Sequence, residues 1–302
     1  MAELIVYGIV LGGIIALGAI GLSLVYGIIG FANFAHGEFM TAGAYLALFM
    51  VTGVFSWIGI PDNTFGILSF GWRMVFAFPF SMAGVAFLAI FFDRVLYRKL
   101  RAKNSGPVMF AMSSLGTSFI IRMIIIIVWG SDYLFYRPGL MRPALEVPLG
   151  IKIRPDQIVI LFIVFLLVGL LHVFLQDTKM GKAMRATADN MELALISGIN
   201  TERIIIWTWG IGGALAAAGG ILYGIDVQLH ARMGWHFLIP LFAATILGSI
   251  GNIYGALVGG FAIGIAQQVS TAFLLPTYKL AVAFVIMILI LLIRPQGIFG
   301  KG

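Results

Sequence analysis

The chain has 302 residues, of which 61% are hydrophobic and only 10% charged, where soluble domains carry about 25% charged residues. No water-soluble core could hide that much apolar surface, so the composition predicts a multi-span membrane protein. The net charge of +7 fits basic cytoplasmic loops better than nucleic-acid binding, and the lack of cysteine excludes disulfides and thiolate metal sites.

The apolar runs are continuous rather than alternating, which points to helices and away from an outer-membrane barrel. The expected fold is an all-α membrane protein. It is a polytopic helical bundle of about eight to nine transmembrane segments with broken or re-entrant helices, in one domain over residues 1–302. The start, Met1-Ala-Glu-Leu4, has no basic region, so no cleavable signal peptide is expected. The 38 glycines suit close helix packing in a membrane, and glycine also breaks helices.

Span one covers about residues 7–29 and carries Gly8-xxx-Gly12, a helix packed on protein rather than lipid. Residues 30–40 then place Asn33, His36 and Glu38 between two apolar runs with almost no room for a loop. A charge at bilayer depth costs on the order of 3 kcal/mol, so it is usually turned inward and used. Two readings stand side by side. These residues line or gate a permeation path, or His36 and Glu38 cap the start of span two, over about residues 39–55, near its positive end. A loop over 56–72 and span three, about 75–92, lead to Arg94, Arg98, Lys99, Arg101 and Lys103. This is the strongest positive-inside mark in the chain, so residues 93–103 belong in the cytoplasm.

Span four, about residues 107–129, contains Ser113, Ser114 and Thr117, which join the expected path, and Arg122, read as snorkelling or paired. By parity the proline-rich segment 132–156 lies outside. Span five, 157–175, then returns the chain to the cytoplasm.

Residues 176–203 carry four basic and four acidic side chains between two greasy spans. Ala183, Ala186, Met191, Ala194 and Leu195 recur at three- and four-residue steps, predicting one amphipathic helix. Gly198 is its stop, and Thr201 is a candidate cap for the next helix. A loop that only set orientation would be plainly basic; this one has no net charge and no aromatic residue, so it reads as a docking surface. Small residues allow close approach, while Arg185, Asp189 and Glu192 would fix register by charge.

Span six covers about 204–226, with Asp226 and Gln228 at its outer end and His230 and His236 flanking an outer loop as solvated histidines. Residues 237–247 are too short for a span of roughly 20 residues. The glycine-rich run 248–255 interrupts them before 256–271, so a helix broken near membrane depth is expected. Gln267 and Gln268 suit interhelical hydrogen bonds. The last span is 278–293, followed by a basic cytoplasmic tail. Interruptions at 27–37 and 248–255 suggest an inverted repeat around a substrate path.

No phosphate loop, metalloprotease helix or nucleophile elbow is present, so an intramembrane enzyme is disfavoured and no cofactor is expected on this chain. A self-sufficient channel or secondary transporter would need Glu38 or Asp226 for ion coupling.

Glu192, Ala194 and Gly198 stand at the spacing of the E-A-A-x-x-x-G signature of ATP-binding-cassette importer permeases, with Leu193 in place of the first alanine. The downstream I-x-L-P of that signature is replaced by Thr208-Trp-Gly-Ile211. The whole chain resembles the branched-chain amino acid permeases of these importers, the Liv-type H subunit family. The resembling stretches are residues 27–40, 181–189, 198–200, 212–220 and 294–299.

The resemblance implies a bacterial or archaeal inner-membrane subunit with a second permease subunit, two ATP-binding subunits that hold ATP-Mg, and an outer-face substrate-binding protein. It also implies that Gly181, Arg185, Asp189, Glu192, Ala194 and Gly198 couple to the ATPases. The implied cargo is leucine, isoleucine or valine; relatives carry urea, short amides or other amino acids.

Overall fold

The computed structural model describes residues 1–137, 144–147 and 151–300. Among them are eight helices long and apolar enough to cross a membrane. They are α1 (Ala2–Ile29), α2 (His36–Trp57), α3 (Trp72–Ala102), α4 (Pro107–Trp129), α5 (Pro155–Asp177), α8 (Thr201–Asp226), α10 (Ile253–Ala272) and α11 (Pro276–Ile293). The shorter apolar helix α9 (Met233–Gly248) completes the bundle. Helices α6 (Lys179–Asp189) and α7 (Met191–Ile196) lie between α5 and α8. A small antiparallel hairpin, β1 (Leu145–Val147) with β2 (Ile151–Ile153), sits before α5. The proline-rich outer segment falls partly outside the described residues.

Two helices form the axis. In α1 67% of the apolar window is buried and in α8 72%, against 6% in α11. That contrast follows from side-chain size. The small-residue face of α1 meets α10 so closely that a Cβ on Gly12 would lie 2.7 Å from the Phe261 backbone, and Gly21 approaches the Gly212 carbonyl in the same way. Lipid tails are as apolar as leucine, so such close packing, not hydrophobic exclusion, holds membrane helices together. Helices α5 and α11, rich in bulky aliphatics, turn most of that bulk outward.

Several elements differ from the sequence reading. Span three, expected over about 75–92, does not end there but runs from Trp72 to Ala102. α3 continues through a widened π turn over Asp93–Tyr97 into Arg98–Ala102. Buried Asp93 accepts two hydrogen bonds from Arg101 (2.7 and 3.2 Å), and Glu202 at the start of α8 sits 3.3 Å from Arg98. The segment 237–271 is not a single broken helix either. α9 and α10 form an antiparallel hairpin whose tight turn brings Gly248 onto Gly255. Only hydrogen side chains let two backbones meet that closely. The first interruption is a true re-entry. Gly30 ends α1 in the left-handed conformation (φ 81°), and the following residues run back into the body before α2 begins at His36.

Candidate functional site

Three constellations carry the polar chemistry: one buried at the start of α2, one at the end of the bundle that the basic residues 94–103 assign to the inside, called the inner face, and one at the opposite end, called the outer face.

The buried one forms where the chain re-enters. Asn33 Oδ1 accepts the Ala35 amide (3.1 Å), folding the backbone into a turn that launches α2. His36 Nε2 lies 2.9 Å from the Gly18 carbonyl of α1. A carbonyl only accepts, so Nε2 carries the hydrogen, and Nδ1 has no partner. Glu38 is fully buried, and its Oε1 accepts from both Nε (2.9 Å) and Nη2 of Arg122 in α4. Arg122 also donates to Ser118 (3.3 Å) and lies over the Trp235 ring at 4.9 Å and the Phe119 ring at 5.5 Å. Arg122 is therefore the paired arginine that its depth demanded. Neither His36 nor Glu38 caps α2, because both side chains reach across to other helices and no side chain closes that helix start.

Ser114 Oγ accepts the Phe34 amide (3.0 Å) and donates to the Ala111 carbonyl (2.7 Å), tying the re-entrant backbone to α4. Thr117 donates to the Ser113 carbonyl (3.0 Å), and Ser113 itself is only partly buried. Asn33, His36, Glu38, Ser114 and Thr117 thus converge on one buried region, in which Asn33 Nδ2, His36 Nδ1 and Glu38 Oε2 lack hydrogen-bond partners. Sequence reasoning missed Thr41, whose hydroxyl accepts the Gly234 amide (2.9 Å) and docks α9 on α2. A threonine five residues after His36 on a glycine-rich helix was its only signal.

At the inner face, the expected single helix over 181–198 is two helices. Asn190 takes an extended conformation (φ −158°, ψ 106°) and its side chain caps α7 through the Leu193 amide (2.9 Å). Asn200, not Thr201, caps α8 in the same way (3.0 Å to the Arg203 amide). Thr178 caps α6 at the Gly181 amide (2.9 Å), and a Cβ on Gly181 would drive into the backbone of Phe174 and Leu175.

Gly181, Met184, Thr187 and Ala194 are buried, while Arg185, Asp189, Glu192 and Gly198 are exposed. Ala186 and Leu195 are exposed as well, so the expected apolar face does not turn wholly inward. Gly198 follows α7 with φ 82°, the left-handed conformation in which glycine closes a helix, as expected of its stop. Leu193, Leu195 and Ile196, the last 83% exposed, stand out from α7.

At the outer face, Arg154 at the start of α5 pairs with Asp226 at the end of α8 (2.5 Å), and Gln157 donates to the same Asp226 oxygen (3.1 Å). Gln267 and Gln268 join α10 to α11 through the Lys279 carbonyl (3.0 Å) and ammonium (2.8 Å), the interhelical role expected of them. His230 and His236 lie with ring centroids 5.6 Å apart; His236 is exposed, as expected of a solvated histidine, while His230 is half-buried. Burial, helped by the nearby His236 and Arg232 charges, holds His230 below its ordinary pKa. No group of three or more metal-binding side chains occurs among the described residues.

A family model described as the permease component of the branched-chain amino acid transport system matches residues 4–291. The chain is 35% identical to the high-affinity branched-chain amino acid transport system permease protein LivH of Escherichia coli strain K12, over 97% of this chain and 94% of the relative. It is 33% identical to the corresponding protein BraD of Pseudomonas aeruginosa, over 98% and 95%. It is 28% identical to a probable branched-chain amino acid transport permease protein LivH of Methanocaldococcus jannaschii, over 97% and 90%. Among solved structures, PsaBC from Streptococcus pneumoniae in complex with Fab aligns over 99% of this chain and 93% of that one, at 13% identity and a TM-score of 0.50, a likeness of fold.

Proposed function

The chain belongs to the family of branched-chain amino acid transport permease components, and from that premise we propose that it is a membrane subunit of an ATP-driven importer of branched-chain amino acids in the bacterial or archaeal inner membrane. It pairs with a second permease subunit. It receives cargo from a substrate-binding protein outside, and it is driven by two ATP-binding subunits inside that hold the ATP-Mg. This chain performs no chemistry of its own. It converts the motion of the ATPases into alternating access along a path near Asn33, His36, Glu38, Ser113, Ser114 and Thr117.

The observation that supports this reading most is the construction of α6 and α7. The start of each is fixed by a side-chain cap, Thr178 for α6 and Asn190 for α7, and α6 is seated by the Gly181 contact with α5. Past the Asn190 cap Leu193, Leu195 and Ile196 stand exposed, and Arg185, Asp189 and Glu192 are exposed on the same segment. A rigid, charge-balanced element with bare aliphatic side chains suits the groove of a protein partner. Its attachment to α5 and α8 would carry a push into the axis of the bundle.

Because the chain has no cysteine, single cysteines report contacts cleanly. Ile196→Cys in the assembled transporter is expected to cross-link to an ATP-binding subunit, with a yield that changes when ATP is added. Cross-linking to lipid analogues alone would remove the docking role.

A further inference from the structure

The outer ends of α1, α5, α8, α9, α10 and α11 enclose a cleft of about 500 Å³, within the 300–1,000 Å³ usual for small-molecule sites. The Arg154–Asp226 pair forms one wall. It also borders a second, smaller cleft of about 210 Å³ that includes Ser69, Tyr136 and Asp156. Structural salt bridges occur at any exposure, but only an open one can meet a ligand. This one is open, with the Arg154 side chain 39% exposed.

We propose that the larger cleft is an acceptor site for a free aliphatic α-amino acid, with Asp226 receiving the ammonium group and Arg154 the carboxylate. The proposal rests on the importer reading and adds a place where cargo waits before it enters the buried path.

Three features support it. First, the pair has capacity to spare. Among the described residues both hydrogen bonds to Asp226 land on Oδ1, leaving Oδ2 open, and Arg154 uses one of its two terminal guanidinium nitrogens on Asp226. A guanidinium offers five donors in a planar fork, two of which can be given to a carboxylate. Second, the spacing suits a zwitterion. An α-amino acid carries its two charges on groups bonded to one carbon, and here the complementary charges already sit at hydrogen-bond distance. The ligand therefore exchanges one ion pair for two, with no net charge to bury. Third, the rest of the cleft has the right character. Leu11, Phe237, Pro240 and Leu280 supply an apolar wall for the side chain. Lys279, whose ammonium makes one hydrogen bond, to Gln268, offers a second cation at the rim.

The test is equilibrium binding of radiolabelled L-leucine to the purified full chain in detergent, without partner subunits. Saturable binding is expected. Leucinamide, which lacks the carboxylate, and 4-methylpentanoate, which lacks the ammonium, should each compete at least about tenfold more weakly, as the loss of one charged hydrogen-bond set implies. Asp226→Asn and Arg154→Gln should each weaken leucine binding by about tenfold or more. Leu280→Trp keeps the ion pair and fills the apolar wall, so it should also weaken binding even if the charge variants fold poorly.

Absence of saturable binding to the wild-type chain would overturn the proposal. So would equal competition by both analogues, or unchanged binding in Asp226→Asn and Leu280→Trp. Leucine uptake by the assembled transporter is measured in parallel. Uptake without binding to the lone chain removes the acceptor site alone, while binding without ATP-driven uptake removes the importer reading.

Discussion

The start of α2 and the α6–α7 segment use the same kinds of residues to opposite ends. At the start of α2 a glutamate and an arginine from distant helices find each other, and the protein itself closes the account around Arg122 with Ser118, Trp235 and Phe119. At the inner face, Asp189 and Glu192 are exposed next to bare leucines and an isoleucine. The first arrangement completes the fold from within. In the second, Asp189 and Glu192 make no ion pair among the described residues, as the proposed docking role would need. Charge alone does not separate structural from docking roles; what separates them is whether the chain supplies the counter-group.

Loss of one half of the Glu38–Arg122 pair should cost the fold more than any other single change. Removing one partner of a buried ion pair leaves an uncompensated charge and typically costs 3–5 kcal/mol. Arg122→Met alone is therefore expected to destabilise the purified protein by about that much, seen as a large drop in melting temperature. The double variant Glu38→Gln, Arg122→Met removes both charges and should recover most of the loss. If the single and double variants melt alike, the pair does not hold α2 to α4.

A smaller effect tests how firmly the inner segment is seated. Gly181→Val forces a branched side chain into the Phe174 and Leu175 backbone. Overpacking of this kind costs about 1–3 kcal/mol. The variant should also reduce transport more than its stability loss explains, because it tilts α6 away from α5. Wild-type melting and transport together would show that α6 is not wedged there.

Arg185→Glu and Glu192→Arg should be nearly silent in stability, within about 0.5 kcal/mol, as exposed substitutions are. Their effect belongs to assembly. ATP hydrolysis by the partner subunits is expected to continue while uptake falls. Full uptake in both variants would mean that these charges set no register with a partner.

Much of this was legible in the sequence. The number of crossings depends on local composition, and the eight long apolar helices agree with it. What the sequence hid was everything that depends on how helices are rotated against one another. Glu38 and Arg122 are 84 residues apart, and a single sequence gives no means to set the depth or azimuth of α2 against α4. The break at Asn190 was hidden for another reason. The apolar spacing runs smoothly through it, and only the capping preference of asparagine, outweighed by that periodicity, marked the end of α6. The α9–α10 turn was misread because glycine signals both a broken helix and a close antiparallel turn.

The smallest expected effect concerns the outer loop. His230 is half-buried, and burial, then the His236 and Arg232 charges, lower its pKa in the folded protein from the ordinary 6.5. The folded state therefore binds a proton less readily than the unfolded one. This contribution to loop stability is fully present above pH 6.5 and is lost as pH falls through the lowered folded value. The neighbouring Leu229 amide, bonded to the Leu134 carbonyl at 2.8 Å, is the reporter. Its hydrogen exchange, corrected for the intrinsic pH dependence, should quicken as pH falls below 6.5. His230→Gln should flatten that dependence while leaving exchange in α6 and α7 unchanged. A pH response that persists unchanged in the variant would show that protonation of His230 is not what loosens the loop.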